Sequence, residues 1–260
     1  MAGQIRTERE GPLGWVIFDH PERRNAISEQ MWIQLPDALA ELDADPEIRV
    51  ILLRGAGELA FISGADISEF EKSRSGESST GYNDLTGNAF AALRDTRKPL
   101  ISMIHGFCVG GGLAVALITD LRYSAEDGVF AIPAAKLGLG YHTSGIDTLI
   151  QLVGPAVAKE IFFTAQKYDA VEALRYGFVN RVYPKAELET RVREIASRIA
   201  ANAPLTVRAA KHAARELGLP ADQRDLASVD QSIRDCFESD DYKEGVRAFM
   251  EKRRPQFRGA

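Results

Sequence analysis

Cysteine is scarce in this chain of 260 residues: only Cys108 and Cys236 occur, which excludes a disulfide framework. The four histidines, His20, His105, His142 and His212, are scattered without metal-ligand spacing. No apolar run approaches the roughly 18–20 residues of a membrane span. The N-terminal stretch Met1 to Glu10 is polar and lacks a signal-peptide core. An excess of basic residues is also missing. Lys and Arg number 32 against 37 Asp and Glu, for a net charge of −5, which argues against a dedicated nucleic-acid binder. Three phosphate and nucleophile motifs are absent as well. Gly110-Gly111-Gly112 runs on into Leu113 and Ala114, so no dinucleotide fingerprint forms, and neither a Gly-Lys-Ser/Thr loop nor a Gly-x-Ser-x-Gly elbow is found. The expectation is a soluble, cytoplasmic protein with no metal, no nucleic-acid partner and no membrane contact.

What is present is enough apolar material for a large core. Residues of the apolar classes make up 45% of the chain. A chain of this length buries about 70–75% of its unfolded surface and needs no covalent staple. It accommodates one large domain, or one domain with a smaller appendage. No fixed-period repeat is visible. The stretch Lys72 to Asn88, rich in Ser and Gly, reads as a mobile surface loop.

The first half alternates strands and helices. Trp15–Phe18, Val50–Leu53, Leu100–Ile104, Leu121–Ser124 and Val129–Ile132 read as strands. Ser28 to Asp43 reads as a helix with Met31, Leu35, Leu39 and Leu42 on one face, and Pro36 should kink it or displace its start. Ala89–Asp95 and Leu113–Thr119 read as further helices, and Asp66 with Glu69 as a capping box. The second half is mostly helical. Ile146–Val153 and Ala156–Thr164 are split by Gly154-Pro155, and Asp169 with Glu172 opens a helix that Gly177 ends. After a strand over Phe178–Val182 come helices over Ala186–Ala201, Leu205–Leu217, Ala221–Glu238 and Tyr242–Arg253. The fold class is therefore α/β, with a core over residues 1–200 and a helical region over 201–260.

Two glycine-containing turns suggest chemistry. Phe61-Ile62-Ser63-Gly64-Ala65-Asp66-Ile67 and His105-Gly106-Phe107-Cys108-Val109-Gly110-Gly111-Gly112 each lie between a buried strand and a helix. N–H groups at a helix start have no intrahelical partner, and the macrodipole there favours negative charge. Two such turns facing each other would offer two donors to one oxygen, an oxyanion hole. The plainer reading, tight turns and nothing more, stands beside it for each turn alone. Cys108 reads as a small buried thiol, since no base adjoins it, and Asp120 as a structural acceptor for backbone or an arginine.

Taken in order along the chain, the motifs resemble the enoyl-CoA hydratase/isomerase (crotonase) superfamily. They are His20-Pro21 through Asn25-Ala26, Ser63 to Ile67, Lys98-Pro99, His105-Gly106, Gly110-Gly111-Gly112 and Phe130-Ala131-Ile132-Pro133. Leu137-Gly138, Ala170 to Ala173, Gly177-Phe178-Val179 and Phe249 to Arg253 complete the set. The resemblance implies a crotonase-like spiral of ββα units with a C-terminal helical oligomerisation region, assembled as a homotrimer or homohexamer. It implies an acyl-CoA substrate, so that coenzyme A belongs to the substrate and no separate cofactor is needed. It also implies that the backbone N–H groups of Ala65 and Gly111 hold the thioester oxygen and stabilise an enolate. Arg24, Ala26, Ala65 and Ile67 would line the coenzyme A site, and Phe249 and Lys252 would approach it, often from a neighbouring subunit.

The chain departs from the hydratases of that family at two positions. Where those carry glutamates, the resemblance aligns Ala114 and Ala134, which cannot move a proton. Acid–base catalysis contributes roughly 10²–10⁴-fold per group. The loop Gly138 to Gly145 carries the nearest polar groups, Tyr141 and His142, with Asp147 one turn beyond. Tyr141 matches a tyrosine in methylmalonyl-CoA decarboxylase-like members, which also lack the glutamate pair but have a histidine where this chain has Ala65. The sequence thus implies an enolate-stabilising acyl-CoA enzyme of the hydratase type. Its alternatives are a methylmalonyl- or ethylmalonyl-type decarboxylase and a non-catalytic acyl-CoA-binding relative.

Overall fold

The structure is a computed structural model that describes residues 3–66, 78–141 and 143–260. Ten strands alternate with helices along the described chain. The pairs β1 (Gln4–Glu10) and β2 (Leu13–Asp19), β3 (Val50–Gly55) and β4 (Ala60–Ile62), β5 (Leu100–Ile104) and β6 (Phe107–Val109), and β7 (Leu121–Ala125) and β8 (Val129–Ala131) follow one another. Two short strands, β9 (Tyr168–Asp169) and β10 (Arg181–Tyr183), complete the set. A six-stranded sheet has the order β1-β2-β3-β5-β7-β10, and a four-stranded sheet the order β4-β6-β8-β9. From β3 to β8 each successive pair sends one strand to the large sheet and the next to the small one. Parallel pairing inside each sheet requires the chain to cross over between repeats, and helices make those crossings. This is the expected spiral of ββα units.

Alternation along the strands divides the interior in two. On β2, Val16 and Phe18 face one core while Trp15 and Ile17 face the other. On β3, Ile51 and Leu53 point to the first core, and Val50 and Leu52 to the second. Both faces are apolar because both are covered, as a parallel sheet demands. The first core also takes α1 (Glu29–Ala44) and α2 (Ser78–Asp95). The second is closed by α6 (Lys185–Ala200), through Leu188, Val192 and Ala196. Between these helices lie α3 (Gly111–Ile118), α4 (Thr143–Thr164) and α5 (Ala170–Tyr176). The chain ends in α7 (Pro204–Gly218), α8 (Leu226–Glu238) and α9 (Asp240–Met250).

Several expectations need correction. The supposed loop over Lys72–Asn88 is helical from Ser78 onward, and its residues 72–77 lie outside the described residues. Tertiary packing overrides the poor helix propensity there. Tyr82, Ala89 and Leu93 are buried, and the Trp32 indole N–H donates to Tyr82 Oη at 3.0 Å. Pro36 does not displace the start of α1, which Ser28 caps by accepting from the Met31 N–H. Its missing N–H costs one intrahelical bond, and four fully buried side chains, Met31, Leu35, Leu39 and Leu42, offset it. The expected strand at Phe178–Val182 is displaced to β10, because the N–H of Phe178 is tied back to the Ala173 carbonyl after left-handed Gly177. A 3₁₀ turn over Ala221–Gln223 precedes α8, which starts after its own N-cap, Asp225. β1 was not anticipated. Its polar residues alternate on a mostly exposed edge strand, where the apolar signal is weak.

Other local signals hold. Asp169 and Glu172 form a reciprocal capping box, and Gly177 ends α5 at φ 84°. Gly154 breaks α4 with φ 77° and ψ 163°, where the Gly-Pro pair was expected to split two helices. Asp120 accepts from the Leu100 N–H at 2.7 Å and pairs with Lys211, not with an arginine, at 2.8 Å. No helix among the described residues is long and apolar enough to cross a membrane.

Candidate active site

The two glycine turns are brought together by strand pairing. β4 and β6 run parallel, with Ala60 opposite Phe107 and Ile62 opposite Cys108. Each strand leads into its own turn, so the turns leave the sheet side by side. Val109 O lies 3.5 Å from where a Gly64 Cβ would stand, and Gly64 Cα lies 3.9 Å from where a Gly110 Cβ would stand. Gly110 adopts φ 54° and ψ −115°, a conformation closed to residues with a Cβ. Gly112 lets α3 approach β4 closely, because a Cβ there would fall 2.3 Å from the Ile62 carbonyl.

A second set of hydrogen bonds fixes the first turn from the other side. Residues 23–27 run alongside residues 63–66. Ser63 N–H donates to Arg24 O, Ile27 N–H to Gly64 O, and Asp66 N–H to Ile27 O, at 3.1, 2.8 and 2.9 Å. Ile27 and Ala65 form a parallel bridge. In such a bridge the flanking residues of Ala65 supply the bonds, so its own N–H points away from Ile27. That N–H lies 3.7 Å from the position a Gly111 Cβ would occupy. Among the described residues, neither the Ala65 N–H nor the Gly111 N–H donates to a backbone carbonyl. Both residues are half-buried. Gly111 is the first residue of α3, where the macrodipole adds positive potential. The arrangement can stabilise negative charge on one oxygen atom. Its back wall is Trp32, whose ring atom Cζ2 lies 3.5 Å from the same Gly111 Cβ position.

The chain belongs to the enoyl-CoA hydratase/isomerase family. The family's sequence pattern matches residues 8–260. A short-chain-enoyl-CoA hydratase of Clostridium acetobutylicum is 35% identical over 248 residues, covering 95% of this chain and 94% of that protein. A crotonyl-CoA hydratase of Syntrophomonas wolfei is 34% identical, with 97% of each chain covered. The crystal structure of an enoyl-CoA hydratase/carnithine racemase from Magnetospirillum magneticum superposes with a TM-score of 0.94 at 36% identity, over 98% of this chain and 96% of that one.

The other expected site residues of this family member fall in three groups. Arg24 and Ala26 lie on the segment stitched to Ala65, and the Arg24 guanidinium stacks over the Phe107 ring at 4.9 Å. Tyr141 is half-buried, edge-on to Phe162 with centroids 5.0 Å apart. Gly145 makes room for it, because a Cβ there would fall 2.7 Å from the ring. Phe249 is 82% exposed on α9, and Lys252 is exposed just beyond it. Within one chain Phe249 lines a groove of the C-terminal helices, and the Lys252 N–H bonds back to the Phe249 carbonyl. Ile67 and His142 lie outside the described residues, as does the helix that Asp66 was expected to cap.

Ala114 and Ala134 are both buried. Ala114 follows the glycines on α3, and Ala134 lies in a 3₁₀ turn over Pro133–Leu137. The Ala134 carbonyl accepts from the Leu139 N–H at 3.0 Å and so anchors the segment that carries Tyr141. Cys108 is fully buried, and burial raises its thiol pKa far above the ordinary value, so it stays protonated. Asp147 is engaged by Gln151 Nε2 at 2.8 Å on its own helix.

Sequence reasoning missed two side chains at this site. Lys167 stands 5.8 Å from the Phe107 centroid, so Phe107 carries a cation on each of two approaches. No local motif marks Lys167, and only the β8–β9 pairing brings its neighbourhood to β6. Trp32 was absorbed into the apolar stripe of α1, which does not reveal that its ring ends under Gly111.

Proposed function

We propose that this chain binds an acyl-CoA thioester with its carbonyl oxygen between the N–H groups of Ala65 and Gly111, and that the site works by stabilising the enolate. The observation that carries this reading is the pairing of the two turns, with the Ala65 N–H 3.7 Å from the Gly111 Cβ position. Each such donor contributes about 3–4 kcal/mol to lowering a barrier of this kind. Arg24, Lys167 and the segment through Ala26 suit the nucleotide end of coenzyme A. In an assembled homotrimer or homohexamer, Phe249 and Lys252 would reach it from a neighbouring subunit. The core over residues 1–200 would then carry the site and the region over 201–260 the assembly.

Two reactions compete for the site. Hydration, by analogy with the related hydratases, needs groups that hold a water molecule and move its proton. On the reading of the sequence, Ala114 and Ala134 would stand where the hydratases keep their glutamates. Decarboxylation of a malonyl-type thioester asks for less. Breaking the carbon–carbon bond leaves its electron pair on the α-carbon as the enolate and releases CO₂, and one acid, here Tyr141, returns a proton to that carbon. The alanine pair favours this second reading.

The deciding experiment incubates the protein with crotonyl-CoA, methylmalonyl-CoA and ethylmalonyl-CoA and follows products by mass spectrometry. Loss of CO₂ from the malonyl thioesters, slowed by Tyr141→Phe, supports decarboxylation. Turnover of crotonyl-CoA alone ends that reading. Thioester binding without turnover across the panel leaves the non-catalytic relative.

A further inference from the structure

The acidic chain concentrates positive charge in one place away from the glycine turns. The C-terminal end of α2 faces α7 across a cavity of about 290 Å³. Arg94 and Arg97 contribute from the first side, and Arg208, Lys211 and Arg215 from the second. Positions 208, 211 and 215 fall on one helix face, three and four residues apart. Two carboxylates, Asp95 and Asp235, line the same cavity.

Not all of this charge is available. Arg215 pairs with Asp95 at 3.1 Å and donates to the Arg94 carbonyl. Lys211 is held by Asp120 and by the Lys98 carbonyl, and Arg97 by Asp43. Asp235 accepts from Gln231. Among the described residues, the side chains of Arg94 and Arg208 have no ion pair or hydrogen bond.

Arg208 also borders a second cavity, of about 160 Å³, which no carboxylate lines. There it meets Lys98, Arg49 and Arg258, against walls formed by Pro46, Pro99 and Pro204. Lys98 spends its ammonium on the carbonyls of Leu42 and Asp45, and Arg49 donates to those of Phe257 and Arg258. Burial holds the Lys98 ammonium below its ordinary pKa against the opposing charges of Asp43 and Asp45, and the nearby Arg208 and Arg97 add to the lowering. The two cavities therefore meet at a free guanidinium, in a cationic surround whose other members are mostly fixed by internal bonds. Unspent guanidinium forks are what a multidentate anion requires, since guanidinium matches phosphate oxygens two at a time, and Arg94 and Arg208 supply two of them.

We propose that the paired cavities around Arg208 form a second binding site, for a small molecule bearing a diphosphate group. The phosphates sit between Arg94 and Arg208 in the larger cavity, and whatever the diphosphate carries lies against the proline walls of the smaller one. The site shares no residue with the glycine turns, so it does not depend on the proposed reaction.

Isothermal titration of the full chain with inorganic pyrophosphate, and separately with ADP, tests this at constant ionic strength made up with chloride. Saturable binding is expected, weakened at least tenfold by Arg208→Ala and by Arg94→Ala, with both variants unchanged in circular dichroism. Tighter binding of ADP than of pyrophosphate, with the same sensitivity to Arg208, assigns a nucleotide; equal binding assigns the bare diphosphate. The proposal is overturned if neither probe saturates, or if Arg208→Ala binds as well as the parent. It also fails if Arg208→Ala lowers the molar mass seen by light scattering, which would make the cavities a contact between copies. Binding of polyglutamate without binding of pyrophosphate would overturn it in favour of an acidic protein segment.

Discussion

The spiral and the C-terminal helices handle apolar surface in opposite ways. In the spiral, Phe18, Phe61, Phe130 and Phe178 are fully buried, and both faces of the large sheet are covered. In the C-terminal helices, Phe249, Met250 and Phe237 are 82%, 76% and 62% exposed, and Val246 and Tyr242 are about half exposed. They line an apolar groove of about 730 Å³ between α7, α8 and α9. One region finishes its packing within the chain and the other leaves it open. Polar contacts show the same division. Within α9 and the residues after it, Glu244 takes up Arg247 and Arg253, and the hydrogen bond from Arg253 leads in holding its carboxyl well below the usual range. The helices are thus locally fixed although their apolar face is exposed in the single chain.

Paired truncations give the strongest test of that contrast. Phe130→Ala should destabilise the chain by about 3–5 kcal/mol in urea unfolding, through lost transfer energy and the cavity left behind. Phe249→Ala should change unfolding of the dilute chain by less than about 0.5 kcal/mol. A comparable loss at both positions would erase the distinction. Gly110→Ala comes next, and it should separate fold from reaction. With φ 54° and ψ −115° at that residue, a Cβ displaces the Gly111 N–H, and turnover on the proposed thioester should fall by about 10²-fold or more. Binding of the thioester and the far-ultraviolet spectrum should change little.

The pH response should also belong to the spiral. His105 is buried beside Lys185, Arg54 and Asp127, and burial, ahead of the Lys185 charge, lowers its pKa. Its Nε2 has no hydrogen-bond partner. The unfolded chain therefore binds this proton more readily than the folded one. Stability is unaffected above the ordinary histidine value near 6.5 and declines as pH falls below it toward the depressed folded value. His105→Asn should flatten that part of a melting-temperature profile between pH 7 and 5. An unchanged slope would assign the response to other groups. A smaller loss than at Phe130 is expected at the capping box. Asp169→Ala should cost about 0.5–2 kcal/mol in the same unfolding measurement, because the bond from the Glu172 N–H to the Asp169 carboxylate at the start of α5 is lost.

The legible parts of the fold were those decided by neighbours in sequence. Buried strands such as Val50–Leu53 are continuous apolar runs, and Asp169 with Gly177 marks both ends of a helix by local bonding. What was misread depends on partners far along the chain. The residues from Ser78 to Asn88 look like loop in isolation and become helix because Tyr82 finds Trp32, 50 positions away. Phe178 was placed in a strand for its apolar neighbours, but a carbonyl five residues back holds it in a turn. The site divides likewise. The glycine turns announce themselves, since few other residues can form them. Lys167 and the Trp32 wall could not be seen, because sheet pairing and helix packing create their positions.

The pairing of β4 with β6 has one more consequence. Successive residues of a strand step by about 3.3 Å and alternate faces. A slip of one residue between these strands would carry one amide out of reach of an oxygen held by the other. The spacing of the proposed donors is thus a property of strand register, set by main-chain bonds and indifferent to the side chain at position 65. Side chains at 114, 134 and 141 can be exchanged without touching it. On the proposed function, the scaffold separates holding charge from moving protons, so a change of reaction would require no change in the hole.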